Sequence, residues 1–501
     1  GLLVLDEPLA RRRVYRDFDT LSIGAPSLSA DGSEEALARS WLWLSIAYGF
    51  GDEAVSLADL LRAKRQGLPY LETAEGWIDL HAPAFRDLER LGERWGNGGE
   101  VGSGDDRVRL SLPDLLRLQA TTGKPLSVAP DGEGAAILSR LLSGEPEAEY
   151  RTPAGLSSRL RPYQESGVRW LQFLWENRLG GLLCDDMGLG KTHQTLALVL
   201  SLFERGIHGP YLVVCPTSVI SHWRNKIRDH APGLRAVVHH GAQRRLEGLG
   251  ARDVLLTSYG VLRRDAGELA AIPLALAVFD EVQHVKNRAT LSYRAACELD
   301  AQVRLGLTGT PIENAVDDLK TLFDLVLPGY LGSDADFQAR YGRAGAGLED
   351  GGDLAELRRL VAPFVLRRLK STVLHELPEK IEDVRTCALS EEQVRLYRDA
   401  VAGRGAELKR QLAAAEGPLP YIHVFALLNL LKQICDHPAL AIGDLGRAPE
   451  LASGKWDLFR EILDECLASG QKVVVFTQYL GMIRLMERHL EELGVGFTTL
   501  T

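Results

Sequence analysis

The chain has 501 residues, 45% of them hydrophobic and 25% charged, an ordinary globular composition spread over about three domains' worth of length. A formal net charge of −10 argues against wholesale non-specific binding of nucleic acid, yet it leaves room for a local basic groove because net charge hides distribution. No apolar run approaches the roughly 18 residues of a membrane span. The six cysteines form no Cys-x-x-Cys pair, which speaks against a disulfide frame or zinc site and for a reducing cytoplasm.

Residues 1–152 read as an α+β accessory or docking region without a catalytic constellation. The chain opens on Gly1, so an upstream piece is expected. Arg11, Arg12 and Arg13 read as a solvated face. Residues 35–48 mix helical and strand signals. Leu57, Leu60 and Leu61 lie on one stripe of a helix over 55–65. Residues 70–80 read as a hairpin turning at Gly76, and helices are expected over 84–95, 110–119 and 134–142. Residues 96–106 are Gly-rich and read as a loop.

The second region spans 153–372. A linker with Pro153 and Gly155 precedes Arg161-Pro162-Tyr163-Gln164 and an amphipathic helix over 168–175. The Gln164 amide carries both a donor and an acceptor and can meet an adenine edge, although such a Gln also serves as a helix cap. Next comes an apolar run ending in Cys184-Asp185-Asp186-Met187-Gly188-Leu189-Gly190-Lys191-Thr192, after which a helical pattern begins. Strand, glycine-bearing loop and helix in that order is the context of a phosphate-cradling loop. Loop N–H groups and the helix N-terminus hold anionic oxygens, Lys191 reaches terminal phosphates, and the Thr192 hydroxyl serves magnesium. Asp185 stands where the general pattern has its first Gly.

Strand and helix signals then alternate. Apolar strands are expected over 211–215, 236–239, 254–257, 274–279 and 304–308, with a helix over 217–228. Continuous apolar strands separated by helices imply a parallel sheet covered on both faces, with ligands at the carboxyl ends of its strands. Asp280 and Glu281 close one such strand. A carboxylate there can reach the same magnesium, with Asp280 supporting the metal and Glu281 polarising the attacking water. From Asp317 the pattern turns helical, and a Gly-rich loop follows over 342–352. The run 364–370, with Arg367, Arg368 and Lys370, reads either as a phosphate site or as a solvated strand edge.

Residues 373–501 begin a third region. Strands are expected over 381–389 and, fully buried, over 473–476, and helices over 391–412, 421–434, 456–467 and 482–493. Cys435 and His437 have no second ligand pair nearby and read as a helix terminus rather than a metal site.

Nine stretches together resemble the Swi/Snf-type family of helicase-like ATPases in superfamily two, and the block before residue 150 is similar to the accessory region that precedes the ATPase in bacterial members. The stretches are LRPYQ (160–164), DDMGLGKT (185–192), CPTSVISHW (215–223), LLTSYG (255–260), DEVQHVKN (280–287), LTGTPIEN (307–314), FVLRRLK (364–370), LLKQICDHP (430–438) and VVVFTQY (473–479). The resemblance implies two RecA-like lobes, the second incomplete at Thr501, with helical insertions near 315–362 and 395–445. It implies ATP and Mg2+ as cofactors. Gln164, Asp185, Met187, Gly188, Leu189, Gly190, Lys191, Thr192 and Gln283 would bind ATP, and Thr192 and Asp280 the metal. Lys191, Asp280 and Glu281 would be catalytic. Thr308, Gly309 and Thr310 would couple the ATP and DNA sites. Thr217, Ser218 and Thr257 would touch the DNA backbone through hydroxyls, which suits sequence-independent tracking.

The expected function is ATP-driven translocation on double-stranded DNA that remodels or displaces bound protein, in the cytoplasm at the nucleoid. RNA polymerase or another DNA-bound complex is the candidate partner by family analogy. A strand-separating DNA or RNA helicase and a non-catalytic nucleic-acid scaffold are the alternatives. Asp186 stands where the family has Glu, and Val282, where it has Ala or Gly, is expected to crowd its turn. The family's later motifs lie beyond Thr501, so this chain is expected to bind ATP but to hydrolyse it poorly.

Overall fold

A computed structural model describes residues 12–24, 42–85, 107–124, 126–128, 133–146, 151–242, 244, 246, 248–309, 316–342, 351–374, 381–414 and 421–501. The chain divides into two units, Gly1–Leu377 and Pro378–Thr501.

The first unit begins with small sheets. Strands β1 (Arg13–Tyr15), β5 (Tyr70–Glu72) and β6 (Gly76–Asp79) form one sheet in the order β1-β6-β5. The hairpin expected over 70–80 is present as the antiparallel pair β5–β6, with Gly76 opening the second strand rather than making the turn. Strands β2 (Thr20–Ile23), β3 (Leu42–Phe50), β4 (Glu53–Ser56) and β8 (Leu126–Val128) form a second, with β7 (Arg107–Leu110) also pairing β3. The ambiguous stretch 35–48 therefore contributes strand from Leu42 onward. A helix, Leu57–Arg65, is capped by the Ser56 side chain and buries Leu57, Leu60 and Leu61 against these strands. Phe18, Tyr48, Phe50 and Phe85 pack around one another in the same core. Arg11, most of the helix expected over 84–95 and the loop over 96–106 lie outside the described residues. Arg13 is exposed, as expected of a solvated face, and Arg12, partly exposed beside it, pairs with Glu72 and lies over the Trp77 ring.

Helix Leu112–Thr122 ties this block to the larger sheet domain. Arg117 donates to the Tyr330 carbonyl, and Arg359 Nε donates to the Ala120 carbonyl at 2.8 Å. Leu116 and Ala120 join the main hydrophobic core.

The larger sheet has seven strands: β9 (Gly181–Leu183), β10 (Tyr211–Cys215), β11 (Arg235–His239), β12 (Asp253–Ser258), β13 (Leu274–Asp280), β14 (Ala301–Leu307) and β15 (Val365–Leu366). Their order is β11-β12-β10-β13-β14-β9-β15, and every pairing is parallel. Strands β9, β10, β12 and β13 are buried throughout, which explains their unbroken apolar runs. All seven strands run the same way, so their carboxyl ends gather on one edge. Asp280 pairs in register with Leu307, and Leu307 with Leu183, at the mouth of the phosphate-loop segment. Two strand spacings separate Asp280 from that segment, about 10 Å.

The second unit is helical: Glu391–Ala414, Tyr421–Asp436, Pro438–Ile442, Gly454–Ala468 and Leu480–Glu492. Gln393 lies fully buried among them. It donates to the Ile434 carbonyl at 2.7 Å and accepts from the Ser390 and Gly454 N–H groups. His437 caps a helix, its Nδ1 accepting from Ala439 N. Both strands expected here are absent. Residues 381–390 and 471–477 have no ladder partner among the described residues. Ile381 and Val384 are 91% and 89% exposed, and Val474 and Phe476 are 76% and 91% exposed. A strand exists only through a hydrogen-bonded neighbour, and among the described residues neither run has one. Among the described residues no helix is long and apolar enough to cross a membrane.

Candidate nucleotide site at the strand ends

The loop after β9 is anchored from beneath. Cys184 N donates to Leu366 O at 2.7 Å, Asp186 N donates to Arg368 O at 3.0 Å, and Lys370 N donates to Asp186 Oδ2 at 2.9 Å. Asp185 is fully buried. Its carboxylate accepts from Arg368 Nε at 2.9 Å, from a second Arg368 nitrogen, and from Gln194 Nε2 at 3.0 Å. Arg368 also donates to Gln194 Oε1 at 2.6 Å and to the Tyr163 carbonyl. The residue at the usual first-glycine position thus pins the loop to β15 and to helix Pro162–Glu176. Both readings of the basic run 364–370 are corrected for Arg368: its guanidinium is committed to a buried carboxylate and is neither a phosphate site nor a solvated edge. A basic residue at the end of a short strand carries no sign in the sequence of which acid it will meet.

Gly188 and Gly190 take φ of +87° and +83°, the left-handed region that a side chain rarely adopts. A Cβ on Gly190 would strike Gln164 Nε2. Gln164 itself acts at both ends of its amide. Its Oε1 accepts from Arg161 N at 2.9 Å, capping the helix, and its Nε2 donates to Leu189 O at 3.0 Å. Tyr163 Oη donates to the same carbonyl at 3.2 Å. Lys191 opens helix Lys191–Glu204, and its ammonium donates to the loop's own Asp185 carbonyl at 2.8 Å. Thr192 follows it in the first turn, and Met187 stands exposed on the rim.

Asp280 ends β13 nearly buried. Its Oδ2 accepts from the Trp223 indole N–H at 2.7 Å, and its Oδ1 accepts from Glu281 N at 3.1 Å. Burial pushes its carboxyl above the usual carboxylate range; the Trp223 bond and the nearby Lys191 charge oppose that push. Tyr259 Oη donates to the Asp280 carbonyl at 2.7 Å. Glu281 holds φ of +49°, a costly conformation for a residue with a side chain and one that gathers at functional sites. Gln283 Nε2 donates to Glu281 Oε2 at 2.7 Å, while Gln283 Oε1 is buried with no partner. The Val282 side chain packs away from its own turn's residues onto the neighbouring strand. It is buried against Gly306, where an added Cβ would lie 3.3 Å from both Val282 methyls, so the glycine on the neighbouring strand makes the room.

Thr308 is buried, and its N–H donates to Leu183 O at 3.1 Å. Gly309 lies over the phosphate loop: a Cβ there would come within 2.7 Å of Met187 Cγ and 3.4 Å of Lys191 Nζ. Thr310 lies outside the described residues. Thr217 and Ser218 are exposed in the 3-10 turn after β10. Thr257 is the exception among the expected backbone contacts. It is fully buried, and its hydroxyl donates to His239 O at 2.9 Å, joining β12 to β11 instead of facing solvent. Every residue of β12 is buried, so no position of this strand faces solvent.

The residues fit an anion and a divalent cation. Lys191 spends its ammonium on a backbone carbonyl that an anionic oxygen would readily replace. Asp280 is a buried carboxylate with no Lys or Arg nitrogen in ion-pair range among the described residues, the chemistry of a hard-cation ligand. Burial pushes the Cys184 and Cys215 thiols up to about 12, so neither is a reactive thiolate.

A glycine-hinged loop, an invading lysine and an acidic pair at the carboxyl ends of a parallel sheet define a phosphate-loop nucleotide-binding protein of RecA-like α/β fold. The sequence matches the SNF2-related domain over residues 163–440, more than half of the chain, and the chain belongs to that family of helicase-like ATPases. It is 35% identical over 436 residues to the "Putative ATP-dependent helicase/translocase YwqA" of Bacillus subtilis, covering 83% of this chain and 46% of that protein. It is 34% identical over 376 residues to the TATA-binding protein-associated factor MOT1 of Saccharomyces cerevisiae, covering 68% of this chain and 20% of that protein. A solved Sulfolobus solfataricus SWI2/SNF2 ATPase core in complex with dsDNA is 35% identical, with a TM-score of 0.44, over 69% of this chain and 72% of that one. The chain spans less than half the length of the two curated relatives.

Proposed function

We propose that this chain carries the ATP site of a motor that moves along double-stranded DNA and remodels or displaces proteins bound to it. The observation that carries the reading is the meeting of Lys191, Asp280, the Glu281–Gln283 pair and Gly309 on one edge of the parallel sheet, with the hydroxyls of Thr217 and Ser218 exposed after a strand of that same sheet. The family, and relatives whose names speak of an ATP-dependent helicase/translocase and of a TATA-binding protein-associated factor, support it.

In this reading Gly188 and Gly190 let the loop's N–H groups approach phosphate, with Asp185, Met187 and Leu189 completing the loop. Lys191 leaves the Asp185 carbonyl for the terminal phosphates. Gln164, already aligned by its cap, offers its amide toward the base. Thr192 and Asp280 would hold Mg2+, which when bound neutralises phosphate charge. Glu281 orients the attacking water, and Gln283, with one amide oxygen unpartnered, senses the occupied site. Thr308 and Gly309 link that site to the DNA surface, and Thr217 and Ser218 contact the DNA backbone without reading sequence.

The test is ATP turnover by the protein carrying this chain, with and without duplex DNA. Strong stimulation by duplex, abolished in Lys191→Ala, is the expected result. Displacement of a triplex third strand without unwinding of a duplex would confirm translocation. Equal stimulation by single-stranded RNA, or efficient strand separation, would overturn the reading in favour of a helicase.

A further inference from the structure

Two buried aromatic residues from different segments hold the same acidic residue at both of its ends. Trp223 belongs to helix Ile220–His230, which continues directly from the exposed turn Thr217–Val219. Its indole N–H meets the Asp280 carboxylate at 2.7 Å, and the side chain is fully buried. Tyr259 opens the helix that Ser258 caps at the end of β12, and its hydroxyl meets the Asp280 main-chain carbonyl at 2.7 Å. The Tyr259 ring stacks on His284, at 5.4 Å between centroids, just past the Glu281 turn. Asp280 is therefore oriented by side chains from the segments that follow β10 and β12, and among the described residues no Lys or Arg nitrogen lies in ion-pair range of it.

We propose that Trp223 and Tyr259 are positioning residues that aim Asp280 for a divalent cation, and that Trp223 transmits the state of the Thr217–Val219 turn to that carboxylate. The second half rests on the DNA reading above; the first does not. A carboxylate ligand has several rotamers, and the Trp223 donor on Oδ2, with the Glu281 N–H on Oδ1, selects the one that leaves the remaining lone pairs for metal. Partners of this kind typically set metal affinity by about 10–100-fold. An indole N–H suits the task because it can only donate, so it cannot itself be a ligand. Its rigid ring also moves with its helix, so a shift of the exposed turn shifts the donor.

The experiment uses the full chain and a fluorescent methylanthraniloyl-ADP, titrated with and without magnesium and with and without a short duplex. Trp223→Phe keeps an aromatic ring and loses the donor; Tyr259→Phe loses only a hydroxyl. In Trp223→Phe the gain in nucleotide affinity on adding magnesium should fall about tenfold, while metal-free affinity stays within about twofold of the parent. Tyr259→Phe should show a smaller loss of the same kind. Duplex should change the metal-dependent gain in the parent and not in Trp223→Phe. If Trp223→Phe keeps the parent's metal dependence, or loses metal-free affinity equally, Trp223 only packs and the positioning role is overturned. If metal dependence falls but the duplex response survives, transmission through Trp223 is overturned. A parent without any duplex response would count against the DNA reading, and the magnesium comparison would still decide the positioning role.

Discussion

Replacing Arg368 with Met should destabilise the first unit through Asp185, whose buried carboxylate it holds at the base of the phosphate loop. Asp185 is completely buried, and two of its three described side-chain donors come from Arg368. Met fills comparable space but leaves a buried carboxylate with one amide donor. Breaking a buried ion pair costs about 3–5 kcal/mol, mainly as the uncompensated charge. The Arg368 side chain is 13% exposed, so some water reaches the pair, and the lower end, about 3 kcal/mol, is the expected loss. Urea unfolding followed by tryptophan fluorescence measures it. The decisive comparison is the double variant Asp185→Leu with Arg368→Met, which removes both charges. Because apolar replacement of a buried pair is often neutral, the double variant should recover at least about half of the loss. A single-variant loss below about 1 kcal/mol, the range of an exposed pair, would refute the argument, as would a double variant no more stable than the single.

His193, in the first turn of the phosphate helix, gives a pH dependence. Burial, followed by the charges of His230, Lys226 and His222, lowers it from 6.5 to about 4. The unfolded chain thus binds the proton first as pH falls, so the full contribution holds above 6.5 and is lost from there through about 4. His193→Gln should flatten that acid slope in denaturant midpoints; an unchanged slope would assign it to other groups. Gln393→Leu should loosen the second unit by about 2–4 kcal/mol, since several hydrogen bonds of roughly 1 kcal/mol each lose a buried partner. Protease sensitivity near the ends of helix Tyr421–Asp436 reports this, and a variant as resistant as the parent would contradict it.

Much of the candidate site was legible locally. The loop 185–192, the Asp280–Glu281 pair and the buried parallel strands announce themselves because each depends on short-range pattern: a glycine where φ must be positive, an apolar run of strand length, an acid at its end. The Gln164 cap was legible too, as a Gln at the third position of a helix opened by Pro162. Other features were not. The family resemblance implied a DNA contact at Thr257, but the facing of a strand residue depends on the sheet around it, and here its hydroxyl meets His239 O. Val282 looked crowded until Gly306, on the adjacent strand, supplied its space.

By itself, then, the sequence determined the order of elements, the phosphate loop and the acidic pair, since backbone conformation and hydrophobic period act over a few residues. Tertiary structure alone decided what holds them. It brought Arg368 to Asp185 across 183 positions and Trp223 to Asp280 across 57. Among the described residues it also gave 381–390 and 471–477 no ladder partner, although their sequences favour strands. The physical reason is common to all of these. An ion pair, a buried hydrogen bond and a β-ladder each need a second partner from a distant segment, and a local pattern specifies only the first.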